Sequence, residues 1–260
     1  MQLVRALRHF YAVENNIRDS RSGTRMAEGE AKIATQIALL AGASGFLGNL
    51  TLEALLDSSD ISRVFAVTRR PLGREHPRLA NRIVQFEQIE SQLKGLTCQV
   101  ALCCLGTTVR AAGSEQALRQ VDVDAVLAFA RTAKAAQAQR FVVVSSVGAD
   151  LKSKNFYLRT KGDMEQALMG VGFPSLDILQ PSVLLGWRGE IRPLEIAASA
   201  VMPIVNPFLT GKREPFRGIP ARTVAAAMVG VMRSGRRGVQ RYTYSAIQAL
   251  SRIKPVRLVK

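Results

Sequence analysis

The sequence predicts an α/β protein: a Rossmann-type doubly wound parallel sheet with a small C-terminal substrate lobe. Three observations predict it. Short apolar runs alternate with helical segments from Ile37 to Leu179, the pattern of a parallel sheet buried on both faces. A glycine-rich turn, Gly42-Ala-Ser-Gly45-Phe-Leu-Gly48, lies between the first run and the first helix. The chain has 260 residues, 47% hydrophobic and 22% charged, which is enough for one sizeable core and excludes a disordered, collagenous or disulfide-stapled protein.

In chain order, Ile37–Ala41 reads as the first strand, because all five residues are apolar, and Phe46–Leu56 as the helix after the glycine turn. Val64–Val67 is the second strand and Ile83–Phe86 a weaker third. Val100–Leu105 is the fourth, followed by a helix from Ser114, a suitable N-cap, to Ala135. Phe141–Val144 is the fifth, followed by a helix over Asn155–Met169, and Leu176–Leu179 is the sixth. Residues 36–250 are thus expected to form one domain. Its last part, 183–250, reads as an irregular lobe: counted from Pro181, it carries six of the ten prolines. Residues 251–260 read as a basic tail. Residues 1–35 read as an N-terminal extension, expected to be disordered, because Asn15 to Gly29 is polar and turn-rich. A disordered arm, a targeting peptide and translation from a start upstream of Met26 all fit, although Glu14 and Asp19 count against an acid-poor transit peptide.

Several chemistries are excluded early. The three cysteines, Cys98, Cys103 and Cys104, are odd in number and form no Cys-x-x-Cys pair, so no metal site is expected and a reducing, cytoplasmic location is. His9 and His76 lie outside any apolar periodic segment, which argues against histidine catalysis. No apolar stretch is long enough for a membrane span. The net charge of +16 is concentrated at the end, with eighteen basic and six acidic residues in 151–260. Aromatic interleaving is sparse there, so nucleic acid is not the expected partner and the charge reads as a solvated surface.

Three groups of residues carry chemistry. In the glycine turn, Gly42 permits the tight turn, Gly45 lets the backbone approach a pyrophosphate, and Gly48 lets the helix pack closely on the sheet. The helix N-terminus adds N–H groups and partial positive charge for phosphates. Twenty-seven residues after Gly42, the second strand ends in Thr68-Arg69-Arg70, where a protein preferring NAD carries an acid for the ribose 2′-hydroxyl. Two guanidiniums suit a 2′-phosphate, which implies NADP. Finally, Tyr157 and Lys161 lie four apart on one helical face, after a strand ending in Ser145-Ser146. An ammonium beside a phenol favours the phenolate, which makes the tyrosine usable as an acid/base.

Together these residues resemble the short-chain dehydrogenase/reductase superfamily, and more closely its atypical, Tat-interactive oxidoreductase-like branch with its bacterial relatives. The resemblance rests on Gly42 to Gly48, Arg69-Arg70, Cys103-Cys-Leu-Gly-Thr-Thr108, Val121-Asp122, Ser145-Ser146 with Gly148-Ala-Asp150, Tyr157-Leu-x-x-Lys-Gly162, and Pro181 to Leu185 with Arg192-Pro193. It spans roughly Ile37 to Leu250. It implies NADPH as cofactor, with Ser44, Gly45, Phe46 and Leu47 on the phosphates and adenosine, and Arg69 and Arg70 on the 2′-phosphate. It also implies that Leu105 and Gly106 lie against the cofactor, that Tyr157 and Lys161 flank the nicotinamide, and that Leu184 and Arg192 close that end. Two positions depart from the wider superfamily: Asp122 stands where many members place Asn, and Gln85 where relatives often carry Asp near the adenine. Of the two serines, Ser145 lies 12 residues before Tyr157 and Ser146 lies 11, and the longer spacing favours Ser145.

The resulting expectation is an NADP(H)-dependent oxidoreductase acting on a small carbonyl or alcohol, with Tyr157, Lys161 and Ser145 catalytic. The alternative is an NADP(H)-binding redox-sensing regulatory protein with little or no turnover. The expected partners are a small-molecule substrate, a protein partner and a second copy of the chain.

Overall fold

The computed structural model describes residues 35–186 and 205–253. Seven parallel strands form one sheet: β1 (Gln36–Ala41), β2 (Ile61–Thr68), β3 (Leu79–Ile83), β4 (Val100–Cys103), β5 (Arg140–Val144), β6 (Ser175–Leu179) and β9 (Gly238–Tyr242), in the order β3-β2-β1-β4-β5-β6-β9. A separate two-stranded ribbon pairs β7 (Leu184–Leu185) with β8 (Ile219–Pro220).

The apolar runs are continuous because the sheet is covered on both sides. In β1, Ala38 and Leu40 face one core while Leu39 and Ala41 face the other. In β4, Val100 and Leu102 alternate in the same way with Ala101 and Cys103. Alternation across two buried faces removes the polar half of the usual strand pattern. One face is covered by α1 (Phe46–Leu56), α7 (Ala221–Gly230) and α8 (Tyr244–Ser251). The other is covered by α5 (Val126–Ala135) and α6 (Phe156–Val171), with the short α2 (Ile89–Gln92). Between β4 and α5 run α3 (Val109–Ala112), α4 (Glu115–Arg119) and a π-helical turn, Gln120–Ala125.

Most expected elements lie within a few residues of their places. Ser114 caps α4 by accepting from Ala117 N–H at 3.1 Å, and Asn155 caps α6 through Leu158 N–H. Three expectations differ. The third strand lies earlier, at Leu79–Ile83, because it is an edge strand with no fully buried residue and so shows no clear apolar run. Gln85 accordingly stands beyond the strand. The helix expected to run unbroken from Ser114 to Ala135 contains the π turn. The described residues of the segment 183–250, namely 183–186 and 205–250, are largely regular. Its α7 packs on α1, where Thr51 Oγ1 lies 3.7 Å from Met228 Sδ, and β9 extends the main sheet beside β6. As an edge strand with only Tyr242 buried, β9 gave no apolar run to read. The expected extension lies outside the described residues except for Thr35, as does the basic tail beyond Ile253.

The strand order reverses between β1 and β4. Their successive connections leave the sheet to opposite sides, opening a crevice at the carboxyl ends of the strands, where ligands bind in open α/β sheets.

Candidate functional site

The glycine turn sits at that crevice. Gly42 has φ +81°, a conformation that side chains disfavour, and a Cβ there would meet the Cys104 carbonyl at 2.7 Å. A Cβ on Gly48 would fall 1.9 Å from Gly42 O. These two glycines bring α1 tightly onto the ends of β1 and β4. Gly45 is the N-cap of α1, exposed, with no side chain between helix start and crevice.

The crevice is a cleft of about 790 Å³. Ser44, Gly45, Phe46 and Leu47 form one wall, and Leu105 and Gly106 another. Ser145, Ser146, Tyr157, Lys161 and Leu184 line the cleft as well. Gly42 and Gly48 shape the turn from behind and are not part of the lining. Arg69 and Arg70 stand exposed just past the carboxyl end of β2, outside the cleft lining, and among the described residues neither has an ion-pair partner. Arg192 lies outside the described residues.

Lys161 is almost wholly buried. Its Nζ lies 2.5 Å from Asp122 Oδ1, and 5.7 Å from the Tyr157 ring centroid. Asp122, fully buried in the π turn, also accepts the Thr107 N–H at Oδ2, at 2.8 Å. Burial works against the Lys161 charge, but Tyr157 and Asp122 outweigh it and hold the ammonium above the ordinary lysine value.

Ser145 is tied inward. Its hydroxyl donates to Glu165 Oε1 at 2.6 Å, deep in the fold. Glu165 also accepts from Gln180 Nε2 and from Arg241 Nε of β9, each at 2.8 Å. A hydroxyl has one proton, so Ser145 faces the cleft only with lone pairs. Ser146 bonds loosely, 3.4 Å from Val147 O.

The sequence reading missed several lining residues: Asn49, Leu50 and Glu53 on α1, Thr107 and Thr108 after β4, and Arg222 on α7. Asn49 and Glu53 lie four apart on the helix that starts at the turn, a spacing legible in the sequence. Arg222 carried no signal, because its helix was not foreseen. Cys104 lines the cleft too, but burial pushes its thiol up to about 12, which removes it as a nucleophile.

Comparison with known proteins accords with this geometry. A family described as NAD(P)H-binding matches residues 42–185, from the glycine turn to β7. HTATIP2 of Rattus norvegicus is 34% identical over 203 residues, covering 76% of this chain and 81% of the relative. The chain belongs to the atypical short-chain dehydrogenase/reductase family of NAD(P)H-binding proteins. A second member, FMP52 of Lodderomyces elongisporus, named mitochondrial, is 35% identical over 164 residues, covering 58% of this chain and 68% of the relative. Among solved structures, MoeE5 in complex with UDP-glucose and NAD matches with TM-score 0.59 and 18% identity, over 82% of this chain and 79% of that one. Bordetella bronchiseptica WbmG in complex with NAD matches with TM-score 0.61 and 13% identity, over 82% and 74%. Both share the fold of this family member.

The family also corrects the cytoplasmic expectation. Its fungal FMP52 members are named mitochondrial, and reduced thiols do not separate one reducing compartment from another.

Proposed function

We propose that this NAD(P)H-binding family member is an NADP(H)-dependent oxidoreductase acting on a small carbonyl or alcohol. One observation carries the reading: Tyr157 and Lys161 open into the same cleft as the Ser44–Leu47 turn. The residues present fit a dinucleotide. A wall without side chains at Gly45 accepts a pyrophosphate at the start of α1, and Leu105 and Gly106 give a flat opposite wall. Arg69 and Arg70 would take the 2′-phosphate.

When bound, the nicotinamide supplies the hydride. The chain supplies the rest. Lys161 holds a ribose hydroxyl, and the Tyr157 hydroxyl gives or takes the proton of the substrate oxygen. Ser145 meets that oxygen only as an acceptor, since its proton goes to Glu165, so Ser146 is the serine with a proton to donate. Cleft residues Arg222 and Glu53 would contact the remainder of the substrate.

Titrating NADPH and NADH, followed by a carbonyl panel, tests the reading. A preference for NADPH with turnover supports it; equal affinities remove the arginine assignment. A redox-sensing regulatory role, with a protein partner or a second copy of the chain as target, is the second reading. It is favoured by the inward pairing of Ser145 and Lys161, and tight NADPH binding without turnover of any carbonyl would select it. The fungal relatives' names support a mitochondrial address, which fractionation of cells expressing the full chain would check.

A further inference from the structure

Asp122 is a buried group that the proposed chemistry leaves unused, and it touches two parts of the cleft at once. One oxygen meets Lys161 Nζ and the other the backbone of Thr107, next to Gly106. It comes from the π turn, an irregularity frequent at functional sites. We propose that Asp122 is a positioning residue: it keeps the Lys161 ammonium charged and aimed, and fastens it to the Leu105–Thr108 wall, so that one carboxylate sets both surfaces on which the cofactor rests. This deepens the reading of the cleft as a dinucleotide site.

The geometry makes Asp122 the counter-ion. An ammonium has three protons; Asp122 takes one, leaving the others for ligand hydroxyls. The titratable groups facing Lys161 are few. Tyr157 comes from its own helix and Asp122 from the π turn; Cys103, from the end of β4, has its thiol pushed up to about 12 by burial and stays neutral. Glu165, one helical turn further, is matched by Arg241. An asparagine at 122 retains an oxygen for the Thr107 N–H but supplies no charge. Lys161 would then be a buried cation without its nearest carboxylate, and burial would dominate.

The sign of the pH effect follows. In the native protein the Lys161 value lies above 10.5, so its contribution to stability is full below 10.5 and is lost only as pH rises through the higher folded value. Asp122→Asn removes both of the Asp122 contributions that raise the native value and leaves burial, the largest cause, opposed mainly by Tyr157. The expected consequence is a folded value below 10.5, so that the unfolded state binds more protons in that window and stability rises with pH there.

The experiment is thermal unfolding without cofactor between pH 7 and 10, on the native chain, Asp122→Asn, and the double variant Asp122→Asn/Lys161→Met, with NADPH titrations at pH 7 and 9.5. The expected result is an Asp122→Asn deficit that narrows as pH rises, and a double variant more stable than Asp122→Asn at pH 7. NADPH affinity should fall about tenfold in Asp122→Asn between the two pH values, and by less than about twofold in the native chain. A deficit constant across pH overturns the proposal. If Asp122→Asn does not fold at pH 7, a double variant that folds upholds it and one that does not overturns it. If the native chain binds neither NADPH nor NADH, the dinucleotide reading fails, and the unfolding series still decides whether Asp122 governs the Lys161 charge.

Discussion

Replacing Gly48 with alanine adds one methyl group inside α1 and should loosen the whole turn. In an open helix, Gly→Ala stabilises by about 1 kcal/mol, because alanine restricts the unfolded chain and favours the helix. At Gly48 the added carbon would lie 1.9 Å from Gly42 O and 2.6 Å from Gly42 C. Normal contact needs more than an ångström of retreat, and both obstacles are backbone, so no rotamer relieves the clash. Overpacking against backbone this close belongs at the upper end of the usual cost, about 2–3 kcal/mol. The clash should exceed the propensity gain and leave a net loss of roughly 1–2 kcal/mol, or about 2–8 °C in melting temperature. Gly170 is the control. It lies on α6, exposed, and a Cβ there meets nothing within 4 Å. Gly170→Ala should therefore be neutral or gain up to about 1 kcal/mol. Thermal unfolding of both variants reads the difference in sign, and cofactor titration should show weakened binding for Gly48→Ala alone. A Gly48→Ala protein as stable as the native chain would refute the claim that α1 is pinned by backbone contact with Gly42.

Three further outcomes are expected. Arg69→Ala/Arg70→Ala should weaken NADPH binding at least about tenfold, from the loss of charge-assisted bonds, and leave NADH unchanged in a calorimetric titration. Tyr157→Phe should lower carbonyl turnover by roughly 10²–10⁴-fold with little change in NADPH affinity; a native rate would end the acid/base assignment. The hydrogen bond from Arg233, with its Nε 2.6 Å from Oδ2, holds the Asp60 carboxyl below its usual value of 3.8. Its stabilisation is present above pH 3.8 and lost as pH falls through the folded value, so Asp60→Asn should melt lower at pH 7, with the gap closing in acid.

The parts of the fold legible in the sequence share one physical cause. β1, β4, β5 and β6 are central strands, buried on both faces; β1, β4 and β5 carry unbroken apolar runs, Ile37–Ala41, Val100–Cys103 and Phe141–Val144, and β6 is apolar but for Ser175 and the buried Asp177. β3 and β9 are the two edges. An edge strand pairs on one side only and tolerates polar residues, as in Leu-Ala-Asn-Arg-Ile and Gly-Val-Gln-Arg-Tyr, so its pairing is fixed by the neighbouring strand and not announced by composition. The same holds for α7: its identity depends on the face that α1 offers, through Thr51 and Met228, more than on its own pattern.

In the site, some residues that would touch a ligand directly were legible, whereas Glu53 and Arg222 of the lining, and Glu165, which acts through Ser145, were not. Glycines, an arginine pair and a tyrosine with its lysine are recognisable because the ligand itself dictates their type and spacing. Glu165 is dictated by Ser145, Gln180 and Arg241, three residues on separate strands or their ends, and that assembly exists only once β5, β6 and β9 are adjacent. A signal was present in part: Tyr157, Lys161 and Glu165 recur every four residues along one face of α6, and a buried acid at the third place needs partners. The spacing that favoured Ser145 counted residues along the chain but not protons. Its single proton is directed at Glu165, so the hydroxyl nearest the expected spacing is the one held by the interior, and Ser146, 3.4 Å from Val147 O, is the more loosely bonded of the two.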